Sequence, residues 1–230
     1  MAEEKFVRIP TGIPGLDDMI QGGFPFPSTI LVAGAAGTGK TTFCLQFLTE
    51  GANNGEQGLF FTTLSEPTQW MLRFISPFKF IKKDYFGKEI KYVELAPELL
   101  DESPTEEDLL SILEENIAET MPQRIVIDPI TVIKDMIPGR YRAFLYKLTT
   151  KLKNWHATTI LTGEVLPAEP YPVEVSYIVD GVIVMTYKES SEGHRRKYLE
   201  VLKMRGTNHT TGKNLLDISP EGLSVQPSLR

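Results

Sequence analysis

The chain has 230 residues, of which 41% are hydrophobic and 23% are charged, a composition typical of a soluble globular protein. Its one cysteine excludes an internal disulfide, and it has no apolar run of about 18 residues that could span a membrane. The first residues lack the basic start and apolar run of a secretory signal, so a cytoplasmic protein without a membrane partner is expected. A net charge of −6 disfavours nucleic-acid binding by the whole surface, although a local basic groove stays possible.

In chain order, short runs rich in β-branched residues alternate with helical patterns, which indicates a largely parallel sheet covered by helices. No linker divides the chain, so one domain over residues 1–230 is expected. Ser103 and Glu106 have the spacing of a capping box at the start of the third helix. The predicted strands are 29–33, 59–64, 90–94, 124–128 and 158–162, and the predicted helices are 40–50, 67–75, 104–119 and 140–152.

The C-terminal residues change pattern, because strand-like runs follow one another without a helix between them. These runs cover residues 178–188, 197–204, 215–218 and 223–225. Runs joined only by short polar segments form antiparallel hairpins, so we expect them to extend the parallel sheet.

A glycine-rich segment with the spacing GxxxxGK[ST] occupies residues 34–41, between the first predicted strand and the first predicted helix. Gly37 and Gly39 allow a tight turn whose backbone amides can bind phosphate oxygens. Lys40 is expected to contact the β- and γ-phosphates of a nucleotide, and the Thr41 hydroxyl to ligate Mg²⁺. The alternative is a chance glycine-rich turn. The residues predicted to bind nucleotide here are Ala36, Gly37, Thr38, Gly39, Lys40, Thr41 and Thr42.

Asp128 ends the apolar strand 124–128, which places it at the carboxyl edge of the sheet, where ligands of α/β proteins bind. We expect Asp128 to orient Mg²⁺ through a water molecule, beside Thr41. A turn or helix-capping aspartate is the alternative, because Asp128-Pro129 is also typical of a turn.

Two cations near the C-terminus, Lys203 and Arg205, are two positions apart in a predicted strand and should share one of its faces. Two cations on one face can stabilise the charge of a transferring phosphate. A solvated strand face with alternating charges explains the same spacing equally well. The spacing alone therefore leaves both interpretations open.

Several segments together resemble the KaiC-type ATPases of the RecA superfamily. The first is Thr11-Gly-Ile-Pro-Gly-Leu-Asp17, followed by Gly22-Gly23 and the glycine-rich segment. The last is Leu202-Lys-Met-Arg-Gly-Thr-Asn-His209, which is similar to that family's KMRG[ST]-x-H signature. With Asp128 and Thr162-Gly-Glu164, the similarity spans almost the whole chain.

The resemblance implies a RecA-like α/β P-loop fold with a mostly parallel twisted sheet, flanking helices and C-terminal antiparallel strands. It also implies binding of ATP or ADP with Mg²⁺ in a homo-oligomer, a hexameric ring with nucleotide between subunits. One subunit would offer the glycine-rich segment with Lys40, and the next would offer Lys203 and Arg205 to the γ-phosphate, with Arg205 in a catalytic role. The residues that would line the pocket from the neighbouring subunit are Lys203, Met204, Arg205, Thr207 and His209.

The second predicted strand departs from the family. Members usually end this strand with two adjacent glutamates, one of which polarises the attacking water, whereas here the pair falls on Leu64 and Ser65. Glu66 follows one residue late, either as a substitute catalytic residue or as a first-turn helix acid with Ser65 as the cap. We therefore expect a slow ATPase that acts as a regulatory ring for an unidentified protein partner. The alternative is a nucleotide-gated scaffold without significant turnover.

A role in DNA repair, as for RadA paralogues, is a third hypothesis. The segment after the fifth predicted strand contains Glu164, Glu169, Glu174 and three prolines, which should repel a phosphate backbone. Lys134, Arg140 and Arg142 follow Asp128, and a helix entrance with solvated charges explains them better than a DNA contact. Nucleic-acid binding is thus disfavoured without being excluded.

Overall fold

The computed structural model of the chain describes residues 7–64, 67–95, 104–165, 169–189 and 193–227. The strands in these ranges are β1 (Arg8–Ile9), β2 (Phe24–Pro25), β3 (Thr29–Gly34), β4 (Gly58–Thr62), β5 (Ile90–Glu94), β6 (Arg124–Asp128), β7 (Thr158–Glu164), β8 (Gly181–Glu189), β9 (Arg195–Met204), β10 (Asn214–Ser219) and β11 (Gly222–Gln226). The helices are α1 (Leu16–Met19), α2 (Lys40–Asn53), α3 (Thr68–Ile75), α4 (Glu106–Thr120), α5 (Ile133–Met136), α6 (Tyr141–Asn154) and α7 (Val173–Ser176), with short 3₁₀ turns at Lys83–Tyr85 and Ile130–Val132.

A nine-stranded sheet forms the centre of the fold, in the order β11-β10-β9-β8-β3-β7-β6-β4-β5. Strands β8, β3, β7, β6, β4 and β5 are parallel, and β9, β10 and β11 continue the sheet in antiparallel pairs. The predicted fold class is confirmed, because helices lie between the consecutive parallel strands, whereas no helix lies between the antiparallel strands in the described residues. None of the helices in the described part of the chain is long and apolar enough to cross a membrane.

Two hydrophobic cores cover the two faces of the sheet. One lies under α2 and α3, and the other lies under α4 and α6. Alternate residues of β3 enter the two cores: Ile30 faces the α2 side and Leu31 faces the α4 side, and both are fully buried. A central parallel strand is covered on both faces, which explains why β3 reads as a continuous apolar run.

The start of α4 corrects one sequence-based expectation. The helix begins at Glu106 and its N-cap is Thr105, so the predicted cap, Ser103, lies before the helix and outside the described residues. The Thr105 hydroxyl accepts a hydrogen bond from the Asp108 amide at 3.2 Å, and the Asp108 carboxylate accepts one from the Thr105 amide at 2.9 Å. Two overlapping pairs have the spacing of a capping box, and the spacing does not choose between them.

Gln46 of α2 joins the N-terminal segment to the last strand. Its Nε2 donates to the Gly12 carbonyl at 2.7 Å and to the Leu223 carbonyl at 3.1 Å, and its Oε1 accepts from the Leu223 amide at 2.7 Å. Within the N-terminal segment, the Asp17 carboxylate accepts from the Thr11 amide at 2.9 Å. The segment that resembles the family's opening therefore packs against the helix that carries the glycine-rich loop.

Replacing Gln46 by leucine should destabilise the protein, because two buried backbone groups of Leu223 and a partly buried carbonyl of Gly12 lose their partner. We expect the free energy of unfolding to fall by about 2–5 kcal/mol, from the usual cost of leaving buried polar groups unsatisfied. Urea denaturation followed by circular dichroism measures this change. The control is Gln69→Leu at an exposed position of α3, which should have little effect; similar losses in both variants would contradict the assignment.

Candidate functional site

The glycine-rich loop leaves the carboxyl end of β3 and enters α2. Gly39 is the N-cap of this helix, with φ of 108°, and a Cβ on it would lie 2.6 Å from Ile218 Cδ1. Gly37 has φ of 77° with open space where its side chain would be. Both positions have backbone conformations that favour glycine, and a Cβ on Gly39 would also displace the end of the Ile218 side chain. The loop thereby presents the amino end of α2 to the edge of the sheet.

Lys40 is buried, with 7% of its side chain exposed, and its ammonium group is bound on several sides. Its Nζ donates to the Gly34 carbonyl at 2.8 Å and to the Ala35 carbonyl at 3.2 Å. It also lies 2.8 Å from Oε1 of Glu164, the last residue of β7, whose side chain is 46% exposed. A buried cation thus has its anionic partner at the solvent edge, where a phosphate would arrive.

Thr41 and Asp128 bring two oxygen atoms together beside Lys40. The Thr41 hydroxyl donates to Asp128 Oδ2 at 2.7 Å, and the Thr162 hydroxyl donates to Asp128 Oδ1. Burial raises the pKa of the Asp128 carboxyl, although the bonds from Thr162 and Thr41 and the charge of Lys40 act in the opposite direction. A hydroxyl and a buried carboxylate are the hard oxygen ligands that Mg²⁺ prefers, so the donor set fits this ion.

The strand order explains how Asp128 reaches the loop. Strand β7 lies between β3 and β6, so Asp128 is on the second strand away from β3, the strand that leads into the loop. Thr162 on β7 fills this gap with its hydroxyl. The sequence placed Asp128 at the correct edge, but it carried no signal for the intervening strand or for Thr162 as its partner.

These side chains line a cleft of about 270 Å³, called the loop cleft below. Its polar floor includes Lys40, Asp128 and Glu164, and one wall is apolar. In that wall Phe60 and Tyr92 stack with ring centroids 5.2 Å apart. Sequence reasoning missed this wall, although both aromatic residues lie in predicted strands. The remaining lining residues are Ala36, Gly37, Gly39, Thr41, Thr42, Thr62, Leu64, Met71 and Pro129.

Most of the loop residues predicted to bind nucleotide line the loop cleft, but Thr38 does not. Thr38 is fully buried, and its hydroxyl donates to the Ala35 carbonyl at 2.8 Å within the loop. Ser65 and the predicted catalytic residue Glu66 lie outside the described residues. At the preceding position Leu64 lines the cleft and is 48% exposed, so the carboxylates among the described lining residues are Asp128 and Glu164.

Lys203 and Arg205 lie near the amino ends of the parallel strands, whereas the loop of the same chain lies at their carboxyl ends. Met204 pairs with Gly181, and Gly181 pairs with Ile30 near the start of β3, whereas the loop follows the end of β3. Five residues of extended strand separate these edges by roughly 15 Å. The two cations therefore cannot reach the loop cleft of their own chain, and a nucleotide that they contact would have to belong to another chain.

The local contacts of these two cations differ. Lys203 Nζ donates to the carbonyls of Ser176 at 3.1 Å and Val179 at 2.7 Å, whereas Arg205 NH1 donates to Asp180 Oδ1 at 3.1 Å. Burial lowers the pKa of Lys203, and the charge of Arg205 lowers it further. Arg205 is 57% exposed and is the more accessible cation.

The turn after Arg205 packs against the N-terminal segment. The Thr207 hydroxyl accepts from Arg8 NH1 at 3.1 Å, and the Thr210 amide donates to the Met19 carbonyl at 2.8 Å. His209 Nδ1 lies 3.4 Å from the Thr210 carbonyl. The turn after Arg205 therefore contacts residues that flank the N-terminal signature segment, which the separation of the two segments in sequence could not indicate.

A second cleft, of about 570 Å³, adjoins the loop cleft and shares Glu164 with it. It is lined by Asp135, Glu169 and Glu174, and Lys134 lies 3.4 Å from the Glu174 carboxylate. Lys134, one of the cations that follow Asp128, is thus paired with an acid. Among the described charged residues that line the second cleft, four are acidic and one is basic.

Comparison with known proteins identifies the family to which this chain is similar. The family model described as ATPase: KaiC matches residues 9–230. A UPF0273 protein of Thermotoga maritima is 30% identical over 234 residues, which cover 96% of each chain. A circadian clock oscillator protein KaiC of Prochlorococcus marinus is 31% identical over 235 residues, covering 95% of this chain but 45% of that protein. The chain thus spans less than half the length of that relative.

A solved structure is similar as well. The crystal structure of a KaiC-like protein from Pyrococcus horikoshii OT3 superposes with a TM-score of 0.85 at 33% sequence identity. The alignment covers 96% of this chain and 100% of the other. The similarity in fold therefore covers nearly the whole chain.

Proposed function

The chain belongs to the KaiC family of ATPases, and from this premise we propose that it binds ATP with Mg²⁺ in the loop cleft and hydrolyses it slowly. The observation that carries this proposal is the convergence of Lys40, Thr41 and Asp128 from two elements on one edge of the sheet. A buried ammonium beside the amino end of a helix attracts phosphate, and the adjacent hydroxyl and carboxylate suit a divalent cation.

Each residue of the floor has a distinct proposed role. Lys40 binds the β- and γ-phosphate oxygens, and the loop amides at the start of α2 bind the remaining ones. Thr41 ligates Mg²⁺ directly and Asp128 orients it through water. When bound, the cation neutralises charge that develops on the transferring phosphate. Thr162 holds the Asp128 carboxylate in position for this role.

Slow turnover is proposed because Leu64 occupies the cleft position at which an acid would activate water. Glu66 is kept as a proposed substitute. The same observation favours the second candidate function, a nucleotide-gated scaffold that binds ATP without significant turnover. The two candidates share the nucleotide site and differ only in the rate of hydrolysis.

We further propose that the chain, as one domain, assembles into a homo-oligomeric ring that regulates a protein partner in the cytoplasm. The position of Lys203 and Arg205 supports this arrangement, because they lie on the far edge of the sheet from their own loop. In a head-to-tail ring this edge of one subunit faces the loop edge of the next. Arg205 would then act on the neighbour's γ-phosphate, with Lys203, Met204, Thr207 and His209 around it.

The test measures nucleotide binding, phosphate release and particle mass together, with and without Mg²⁺. We expect saturable ATP binding that tightens with Mg²⁺, slow phosphate release and a larger particle with ATP. Phosphate release equal to that of a Lys40→Ala variant would favour the scaffold over the ATPase. A particle that stays monomeric with ATP would remove the role of Arg205 in a neighbouring site.

Glu164→Gln should tighten ATP binding, because the Glu164 carboxylate competes with phosphate oxygens for Lys40. We expect an increase of about fivefold in affinity, since a half-exposed ion pair contributes up to roughly 1 kcal/mol. Isothermal titration calorimetry with ATP measures it, and AMP, which lacks the β- and γ-phosphates, should show little change. The matched control is Glu169→Gln, in the second cleft; weaker ATP binding by Glu164→Gln alone would contradict the competition.

A further inference from the structure

Asp180, the residue before β8, connects β3, the strand that leads into the glycine-rich loop, to Arg205, the proposed catalytic arginine. It is 9% exposed, and its backbone amide donates to the Thr29 carbonyl at 2.8 Å while its Oδ2 accepts from the Thr29 amide at 3.0 Å. On the other side, its carbonyl accepts from the Arg205 amide at 2.9 Å and its Oδ1 from Arg205 NH1 at 3.1 Å. Both the backbone and the side chain of Asp180 therefore bind Arg205.

These contacts give Arg205 a rigid support. Thr29 begins β3, the fully buried central strand, so the carboxylate that holds Arg205 cannot shift without moving the core of the sheet. An arginine that is 57% exposed would otherwise sample many rotamers and lose that conformational entropy on binding. The contact uses NH1 and leaves the guanidinium, which has five N–H donors, able to bind a further anion.

We propose that Asp180 is a positioning residue that holds Arg205 of one subunit in place for the triphosphate bound by the neighbouring subunit. This inference rests on the proposed function, because it requires that Arg205 act in a neighbouring site. Holding a cation in its reactive position before the substrate arrives lowers the barrier by avoiding reorganisation. Asp180 would act through Arg205 and would not contact the nucleotide itself.

Two neighbouring lysines, Lys153 and Lys203, allow the contact between Asp180 and Arg205 to be tested separately from other charge effects. Lys153 Nζ also lies 3.1 Å from Asp180 Oδ1, so Asp180 neutralises two cations. Lys203 Nζ is hydrogen-bonded to backbone carbonyls, and the charge of Asp180 acts on it only by partly offsetting the burial that lowers its pKa. Removing the Asp180 charge should therefore release Arg205 while leaving Lys203 in place, and removing Lys153 should leave Arg205 with its partner.

Mixed rings separate the positioning of Arg205 from any effect of Asp180 on its own subunit. Lys40→Ala chains retain Arg205 but lack the loop cation, and Arg205→Ala chains retain the loop but lack the arginine. Neither alone should hydrolyse ATP above background. A one-to-one mixture should recover about one quarter of the unchanged rate, because random mixing makes about one interface in four with both residues present.

Asp180→Asn is then added to one component at a time. Asparagine still offers an oxygen to the Thr29 amide but lacks the charge for Arg205. In the Lys40→Ala chain, which supplies the arginine, we expect the recovered kcat to fall at least about tenfold with an unchanged KM for ATP. In the Arg205→Ala chain, which supplies only the loop, we expect no change.

Two further variants complete the experiment. In the arginine-supplying chain, Asp180→Glu, which keeps the charge, should restore part of the rate, and Lys153→Gln should leave it unaffected. An unaltered rate with Asp180→Asn in that chain would overturn the inference but not the proposed function. Equal losses in both chains, without restoration by glutamate, would assign Asp180 to the support of β3 and also overturn it. No recovery in the first mixture would refute the trans arrangement itself.

Discussion

Lys40→Ala should reduce ATP affinity about 100-fold and lower phosphate release to background, because truncating one partner of a buried charge pair costs at least about 2–5 kcal/mol. Lys40 is the cation among the described residues that line the loop cleft. Its removal also leaves the Gly34 and Ala35 carbonyls without their donor and leaves Glu164 without its partner. The phosphate oxygens would then meet a carboxylate and carbonyl groups instead of an ammonium.

Isothermal titration calorimetry and a phosphate-release assay measure this effect. The matched control is Lys79→Ala, because Lys79 is exposed and pairs with Glu221 on the surface at 2.7 Å, away from the loop cleft. We expect the control to bind ATP as the unchanged chain does. Equal ATP affinity in Lys40→Ala and Lys79→Ala would show that the loop is not the nucleotide site. Lys40→Arg should also bind weakly, since a planar guanidinium does not fit a pocket built around a compact ammonium.

Periodicity and turn chemistry predicted most of the fold. Strand β6 has the predicted bounds, and β3, β4 and β7 differ from the predictions by a few residues at their ends. Buried parallel strands are apolar on both faces, so their sequences stand out from the amphipathic helices between them. The predicted cap of α4 was wrong, because Thr105 as well as Ser103 has a capping-box partner three residues later and the structure uses Thr105.

The candidate site was predictable where its residues are contiguous and not where they meet across the sheet. The loop spacing placed Lys40 and Thr41 without knowledge of the fold. The pairing of Lys40 with Glu164 depends on β7 lying beside β3, and that strand order is a property of the assembled sheet. The stacking of Phe60 on Tyr92 likewise requires β4 and β5 to be neighbours.

For Lys203 and Arg205, the sequence could not establish what the two side chains bind. Their spacing indicated a shared strand face and left open whether that face binds phosphate. The strand pairing places them at the end of the sheet opposite to their own loop, so a nucleotide that they contact would have to be bound by another chain. Contacts between chains leave no periodicity in a sequence, so the trans role of Arg205 stays a prediction that the mixed-ring experiment addresses.

Asp128→Asn should weaken Mg²⁺-dependent ATP binding without destabilising the fold. Asparagine has nearly the shape of aspartate and can still bond to Thr41 and Thr162, but it lacks the charge that orients the cation. We expect the Mg²⁺-dependent part of the ATP affinity to fall about 10–100-fold, the usual cost of losing a group that orients a metal ligand. ATP binding in EDTA should be unchanged. Burial raises the pKa of Asp128, which shows that the fold disfavours its charge, so the free energy of unfolding should not fall.

The measurement combines ATP titrations at several Mg²⁺ concentrations with urea denaturation of the nucleotide-free protein. Asp135→Asn is the matched control, because Asp135 is an exposed aspartate of the second cleft on the segment that follows β6. It should keep the full Mg²⁺ dependence. If Asp128→Asn retains this dependence as well, the cation is held elsewhere in the loop cleft. If it loses the dependence together with several kcal/mol of stability, Asp128 supports the fold through Thr162, and its assignment to the cation fails.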